Sequence, residues 1–450
     1  MNTYIPATQT DREAMLKEIG AGKIEDLFRD IPEEIRFKGR LDLAAPLSEP
    51  ELLSRAHTIA RKNRPVDELA CFLGAGAYDR NIPAAIRHLT LRSEFYTAYT
   101  PYQPEISQGT LQAIFEFQTM ITQLTGTDAA NASVYDGSSA CAEAMLMAKN
   151  QTRRKQALVS KAIHPDALAT ISTYARFHGI EVVGIDTTDG ATDAAHLSAL
   201  ISDETAAVIV QSPNFFGVIE DVAAMAPAVH EKKSLLVAYV ADAASLAVLE
   251  APGKLGADIV CGEGQSFGLG LNYGGPYLGF MGAKANLMRK LPGRIVGETT
   301  DVDGRRAYVL TLQAREQHIR REKATSNICT NQGLNALSAT IYLSLLGTEG
   351  LKDVALQSMN KARYLKSKLA EAGIRPLFGA PFFDEFVVLL KDDAHKVNEK
   401  LLAHGILGGY PIGAYLPGEF GADRDKAMLF CVTEKRTQAE MDKLADLLRE

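Results

Sequence analysis

Three polar segments of this sequence carry residue types that could hold a flat, phosphorylated ring. The run Tyr-Asp-Gly-Ser-Ser-Ala at 135–140 leads into a predicted helix, so Ser138 and Ser139 would set hydroxyls beside free N–H groups that suit a phosphate. Asp242 ends an apolar strand, where a carboxylate can hold a protonated ring nitrogen. His164 follows another strand and could stack on the ring. Each has an ordinary alternative, since these residue types also cap helices and turns.

A glycine-rich segment, 258–280, begins in the next predicted strand, and Gln265 within it lies 23 positions beyond Asp242. The order of phosphate turn, edge histidine, strand-end aspartate and glycine-rich loop resembles that of fold-type-I pyridoxal-phosphate enzymes. Those enzymes carry their Schiff-base lysine after the strand that follows the aspartate, and Gln265 stands at that position. A primary amide cannot form the imine, because its nitrogen lone pair is delocalised into the carbonyl. Lys254 is the one lysine between Asp242 and Gln265, and we predict a surface position for it.

The middle of the chain must supply the elements that position these residues. Short apolar runs alternate there with helical patterns, which indicates a parallel sheet covered on both faces, and hence an α/β fold. The predicted strands are 157–160, 180–185, 206–210, 235–241, 259–261 and 276–281. The predicted helices are 107–124, 139–149, 165–177 and 222–232.

The two ends of the chain have other patterns. Residues 1–65 are predicted as a helical arm broken by Pro32, Pro46 and Pro50, which either wraps a partner or caps its own chain. Residues 66–332 would form the large α/β domain, and 333–450 a small α+β domain. The elements predicted for this last part are helices 334–346, 350–372, 394–403 and 438–448 and strands 386–390 and 428–432.

Composition excludes several classes of function. The 450 residues carry a formal net charge of −7, which disfavours a general binder of nucleic acid or of anionic membranes. The five cysteines are dispersed and form no CxxC pair, so neither a zinc site nor a disulfide framework is expected. This pattern is typical of reduced thiols, and we therefore expect a cytoplasmic location. The N-terminus lacks a signal pattern, and the most apolar window, 235–249, is too short to span a bilayer.

Four longer strings resemble glycine decarboxylase, the P-protein family of the glycine cleavage system. They are Phe-Leu-Gly-Ala-Gly-Ala-Tyr-Asp at 72–79, Tyr-Thr-Pro-Tyr-Gln-Pro-Glu-Ile-Ser-Gln-Gly at 99–109, Ala-Asn-Ala-Ser-Val-Tyr-Asp-Gly-Ser-Ser at 130–139, and His-Ile-Arg-Arg-Glu-Lys-Ala-Thr-Ser-Asn-Ile-Cys-Thr-Asn-Gln at 318–332. The resemblance covers essentially the whole chain. Its length is about half that of the single-chain members and matches their N-terminal half, which many bacteria make as a separate subunit 1.

The resemblance implies a division of labour between two homologous chains. Subunit 2 would carry the lysine and pyridoxal 5'-phosphate. The two subunits, in the two-plus-two heterotetramer that the resemblance implies, would decarboxylate glycine and pass the aminomethyl group to lipoylated H-protein. This chain would be active only with subunit 2. Ser138, Ser139, His164 and Asp242 would then be remnants of a duplicated site that holds neither cofactor nor metal.

The same resemblance directs attention to residues that could shape the partner's site. Tyr96, Tyr99 and Tyr102 lie in an aromatic, turn-rich segment and could pack against the cofactor or the lipoyl arm, or could serve only to join the subunits. The basic cluster Arg320, Arg321 and Lys323 could meet the glycine carboxylate or an acidic carrier, or could be an exposed or ion-paired face.

Two other functions stay open on the sequence. The chain could be an independent pyridoxal-phosphate enzyme that uses another lysine, such as Lys323. It could also be a non-catalytic assembly or regulatory homologue that keeps the fold alone.

Overall fold

The chain divides into two compact units, with the boundary between Arg64 and Pro65. The computed structural model describes residues 7–449, apart from the side chains at positions 419 and 422.

The N-terminal unit contains helices α1 (Gln9–Glu18) and α2 (Glu49–Ala60), and neither helix has a buried residue. Each begins with a capping box, made by Thr8 with Asp11 and by Ser48 with the glutamate three residues on. The prediction that Pro50 breaks a helix is wrong, because this proline lies in the first turn of α2. An N–H there has no acceptor within the helix, so proline costs nothing at that position.

The second unit is built from alternating helices and strands. Its α-helices are α3 (Ala84–Thr90), α4 (Ser93–Tyr96), α5 (Gln108–Thr125), α6 (Gly137–Thr152), α7 (Pro165–His178), α8 (Ala194–Leu200), α9 (Val222–Glu231), α10 (Gln317–Arg320), α11 (Gly333–Glu371), α12 (Ala394–Ala403) and α13 (Gln438–Arg449). Its strands are β1 (Ala70–Cys71), β2 (Ala129–Ala130), β3 (Gln156–Ser160), β4 (Glu181–Ile185), β5 (Thr187–Thr188), β6 (Ala191–Thr192), β7 (Thr205–Gln211), β8 (Leu235–Val240), β9 (Ile259–Glu263), β10 (Gly279–Ala283), β11 (Ile295–Thr300), β12 (Arg306–Thr311), β13 (Arg375–Pro376), β14 (Glu385–Leu389), β15 (Ile406–Leu407), β16 (Tyr410–Pro411) and β17 (Ala427–Cys431).

The central sheet has the strand order β2-β10-β9-β8-β7-β3-β4. Neighbours from β9 to β4 are parallel, which confirms the predicted parallel sheet, whereas β10 runs antiparallel to both β9 and β2. Every residue of β7 is buried, because helices cover both faces of the sheet. Helix α6 packs against the sheet through a run of small and apolar residues from Ala140 to Ala148.

A second, antiparallel sheet of order β13-β14-β17-β16 lies in the C-terminal part, where α13 packs on it through Met441 and Leu444. Strand β1 pairs in parallel with β15, so the chain around Phe72 joins this C-terminal layer. The backbone of α11 is interrupted at Gly347, which has φ +59°. The interruption lies between the two helices predicted at 334–346 and 350–372. Among residues 7–449, none of the helices combines the length and the apolarity that crossing a lipid bilayer requires.

Candidate functional site

The carboxyl ends of β3, β8 and β9 meet at one edge of the central sheet, where open α/β sheets bind their ligands. The structure brings Asp242, which follows β8, together with Gln265, which follows β9, through Ser266 and Arg80. We call Arg80, Asp242, Glu263 and Gln265 the internal site. The N-terminus of α6 lies against it through Glu263.

The predicted phosphate turn is occupied by a carboxylate of the chain itself. Glu263 Oε2 accepts the N–H of Gly137, the first residue of α6, at 2.9 Å, and Oε1 accepts the N–H groups of Gln265 at 3.1 Å and Leu278 at 2.8 Å. The N-cap is Asp136, which accepts the N–H of Ser139 at 2.7 Å. Two backbone donors that could face a phosphate at this helix N-terminus, those of Gly137 and Ser139, are therefore already used.

Asp242 is bound on both of its oxygens. Oδ1 accepts the N–H of Ala244 at 3.0 Å and the hydroxyl of Ser266 at 2.6 Å, so the residue does cap the next turn. Oδ2 accepts the guanidinium of Arg80, with both side chains almost completely buried. The carboxylate that would hold a ring nitrogen holds an arginine instead.

Arg80 is shared among three acids. Its guanidinium also donates to Asp384 at 2.6 Å and to Glu434 at 2.9 Å, and to the hydroxyls of Ser266 and Ser358. Burial, and then the charge of Asp242, raise the pKa of Asp384 well above its usual range. Sequence reasoning missed Arg80, whose acid partners lie between 162 and 354 positions away.

Gln265 lies where the lysine was expected, and its side chain is fully bonded. Its Oε1 accepts the N–H of Tyr78 at 2.9 Å, while Nε2 donates to the carbonyls of Tyr78 at 3.1 Å and Leu269 at 2.7 Å. The side chain is only 1% exposed. Both hydrogen bonds to Tyr78 hold the loop of residues 72–80 in place.

The loop of residues 72–80 also forms hydrogen bonds with His164 and with the buried Glu385. His164 Nε2 donates to the carbonyl of Ala75 at 2.9 Å, and a Cβ on Gly76, which has φ +101°, would come within 2.8 Å of the same nitrogen. Glu385 accepts the N–H of Ala75 at 2.6 Å and the hydroxyl of Tyr78 at 3.1 Å. His164 therefore contacts the loop backbone at the position predicted for a stacked ring.

The residues of the internal site do not fit pyridoxal phosphate. The anion position at α6 holds Glu263, the strand-end carboxylate holds Arg80, and an amide replaces the amine that would bind the aldehyde. We assign no reaction step to this site.

A separate cavity of about 240 Å³, which we call the tyrosine cavity, lies beside the N-terminus of α11. Tyr96 and Tyr99 line it and are 62% and 85% exposed. Arg294 also lines it, and its guanidinium donates to the hydroxyl of Tyr102 at 3.2 Å. The structure thus brings the predicted tyrosines together with the end of the 318–332 string, through Thr330 and Asn331. Sequence reasoning missed Arg294, which lies outside every quoted motif.

The other predicted residues lie on the surface. Lys254 is exposed, as predicted, and pairs with Glu250 at 3.2 Å. Arg320, Arg321 and Lys323 are all exposed. Between residues 7 and 449 the cysteines are free, and the structure shows no group of histidine, cysteine and acidic residues that could hold a metal.

The sheet order and the site at its carboxyl edge define the class of protein. The fold is that of the fold-type-I pyridoxal-phosphate enzymes. A sphingosine-1-phosphate lyase from Burkholderia pseudomallei K96243 has this fold at a TM-score of 0.65 over 92% of both chains, although the two sequences are only 16% identical.

Comparison with known sequences gives the family. The model of the glycine cleavage system P-protein family matches residues 2–448, and the chain belongs to this family. A probable glycine dehydrogenase (decarboxylating) subunit 1 of Geobacillus kaustophilus (strain HTA426) is 52% identical over 448 residues, which are 100% of this chain and 99% of that one. The protein of the same description from Desulforamulus reducens (strain MI-1) is 53% identical over 443 residues, 98% of each chain.

A solved structure agrees. A crystal structure of glycine decarboxylase (P-protein) of the glycine cleavage system, in inhibitor-bound form, superposes with a TM-score of 0.91 at 43% identity. The match covers 99% of both chains.

Replacing Arg80 tests whether the internal site holds the fold together. Arg80→Met leaves Asp242, Asp384 and Glu434 buried without their cation, and we expect it to lower the free energy of unfolding by about 3–5 kcal/mol. Urea denaturation at pH 7 measures this. Arg320→Met, at an exposed arginine, is the control and should change the value by about 0.5 kcal/mol or less. Equal effects of both substitutions would contradict the assignment.

Acidification should stabilise the chain. Burial raises the pKa of Glu143, Glu263 and Glu385 to about 7. Between pH 4.5 and 7 the folded chain therefore binds more protons than the unfolded chain, so stability falls as the pH rises through this window, by at most about 1.4 kcal/mol per pH unit for each carboxyl. Urea midpoints at pH 5 and pH 7 at fixed ionic strength measure the slope. Glu143→Gln should flatten it, and a midpoint that rises from pH 5 to pH 7 would refute the assignment.

Proposed function

We propose that this chain is the subunit of a two-subunit glycine decarboxylase that does not carry the cofactor. Subunit 2 would hold pyridoxal 5'-phosphate on its lysine, and the pair would decarboxylate glycine and transfer the aminomethyl group to the lipoyl arm of H-protein. The observation that carries the proposal is Gln265, an amide at the lysine position whose hydrogen bonds are all made within the chain.

The name of the relatives supports the existence of a partner. They are described as subunit 1, and this chain matches them over nearly their full length, so the missing lysine chemistry belongs to another chain in this proposal. A two-plus-two assembly and the division into domains at residues 66–332 and 333–450 are part of the same proposal. The free, dispersed cysteines support action in a reducing compartment, the cytoplasm.

The contribution of this chain to catalysis would come from the surface around the tyrosine cavity. Tyr96 and Tyr99 are large, exposed aromatic side chains, and such residues are enriched where protein surfaces meet. Tyr102 is held by Arg294, so its ring is positioned. Packed against subunit 2, these rings would exclude water from the partner's site, and their hydroxyls would orient the bound groups.

Reconstitution tests the proposal. The purified chain should show no absorbance of lysine-bound pyridoxal phosphate, and borohydride reduction with peptide mapping should find no modified lysine. With subunit 2 and lipoylated H-protein it should support glycine-dependent exchange of labelled carbon dioxide. Robust exchange by this chain alone would show an independent enzyme, and full activity of subunit 2 without this chain would leave it an assembly or regulatory role.

Removing single hydroxyls separates catalysis from assembly. Tyr96→Phe and Tyr99→Phe keep the packing surface and remove a hydrogen-bond donor, so we expect turnover of the reconstituted enzyme to fall by about tenfold or more, with little change in subunit affinity. Exchange rates and sedimentation measure the two quantities. Tyr273→Phe, at a tyrosine 92% exposed outside the tyrosine cavity, is the control. A loss of affinity in parallel with turnover would assign the tyrosines to assembly alone.

A further inference from the structure

Arg294 is a buried cation whose hydrogen-bond partners are all neutral. The side chain is 5% exposed, and its guanidinium donates to the carbonyl of Cys329 at 3.0 Å, to Asn331 Oδ1 at 3.2 Å and to the hydroxyl of Tyr102 at 3.2 Å. Its Nε donates to no acceptor in the described part of the chain. Within residues 7–449 we find no carboxylate in salt-bridge range of it, whereas the equally buried Arg80 contacts three.

An unpaired buried charge is costly, so its persistence indicates a counter-ion from outside the chain. Removing a charged arginine side chain from water costs several kcal/mol of desolvation free energy, and hydrogen bonds to neutral acceptors offset only part of this cost. The ring of Tyr102, whose centroid lies 5.6 Å from the guanidinium carbon, adds a modest cation–π stabilisation. Neither contact neutralises the charge.

The N-terminus of α11 adds positive potential to the same place. Gly333 and Leu334, in the first turn of this helix, line the tyrosine cavity together with Arg294. Gln332 at the N-cap makes no side-chain capping bond. The first N–H groups of a helix lack acceptors within it and carry the positive end of the helix dipole, which favours an anion.

The lining of the cavity limits what that anion can be. Arg294 is the one charged residue among the lining residues, and the others are apolar side chains, tyrosines, threonines and Asn331. The volume of about 240 Å³ lies below the range of about 300–1,000 Å³ that is usual for drug-sized ligands. Two of the three guanidinium nitrogens are already bonded, so a single negative charge matches the site better than a phosphate dianion does.

We propose that the tyrosine cavity is a binding site for a carboxylate, with Arg294 and the N-terminus of α11 as its anion-binding groups. The carboxylate is that of a small free molecule or of an acidic side chain presented by another chain. The inference goes beyond the proposed function, since it concerns binding by this chain and does not require turnover.

Titration of the full-length wild-type chain tests the free-ligand form. Acetate is the probe, and acetamide, which has the same shape without the charge, is its control at matched ionic strength. Acetate should raise the unfolding temperature saturably and acetamide should not. Arg294→Gln should abolish the response, and Arg363→Gln, at an exposed arginine outside every candidate site, should keep it. An acetate response that survives Arg294→Gln would overturn the assignment.

Affinity for subunit 2 tests the form in which another chain presents the carboxylate. Arg294→Gln should weaken the complex by about tenfold or more if an acidic side chain enters the cavity, while Arg363→Gln should change the affinity by less than about twofold. Far-UV circular dichroism checks that both variants fold. The proposal is overturned if wild-type chain shows no acetate response and Arg294→Gln leaves the affinity unchanged. Failure of the proposed function would appear separately, as absent carbon dioxide exchange with acetate binding intact.

Discussion

The buried ion pair between Arg80 and Asp242 is the contact on which the rest of the structure depends. Asp242 follows the central strand β8, whereas Asp384 and Glu434, the other acids of Arg80, lie beside β14 and β17 of the second sheet. One guanidinium therefore joins both sheets to the loop of residues 72–80. Because a buried charge is stable only with its partners in place, the loop cannot leave this position without exposing three acids as well.

The N-termini of α6 and α11, in the same unit, differ in whether the chain itself supplies an acidic side chain to their free N–H groups. At the N-terminus of α6 the carboxyl group of Glu263, two residues before Gln265, accepts the N–H of Gly137, so the chain supplies its own acceptor there. The positive end of α11 faces Arg294 and receives no carboxylate from the described chain. In the internal site, Arg80 pairs with Asp242 and the N-terminus of α6 is bonded to Glu263. The tyrosine cavity, in contrast, has an excess of positive charge. That asymmetry indicates where a ligand or another chain is needed.

Local signals predicted much of the fold. Apolar runs placed most strands and helices of the central sheet within about three residues, and the predicted helices 107–124 and 334–346 end close to Gly126 and Gly347. The hairpin β11–β12 was missed because polar residues and a glycine interrupt its apolar pattern. In the site, Asp242 and Gln265 were found from spacing along strands. Arg80 and Arg294 were not, because their roles depend on contacts far apart in sequence, which periodicity does not encode.

The hydrogen bonds of Gln265 suit an amide and would not suit a lysine at the same position. An amide both accepts the N–H of Tyr78 and donates to its carbonyl, whereas an ammonium group could only donate and would leave that N–H unsatisfied. Ser266, the next residue, already bonds Arg80 and Asp242, so a lysine at 265 would add a second cation beside a carboxylate that is taken. The Gln265 amide and the Arg80 guanidinium thus both hold the loop of residues 72–80, while Glu263 accepts the backbone N–H of Gln265.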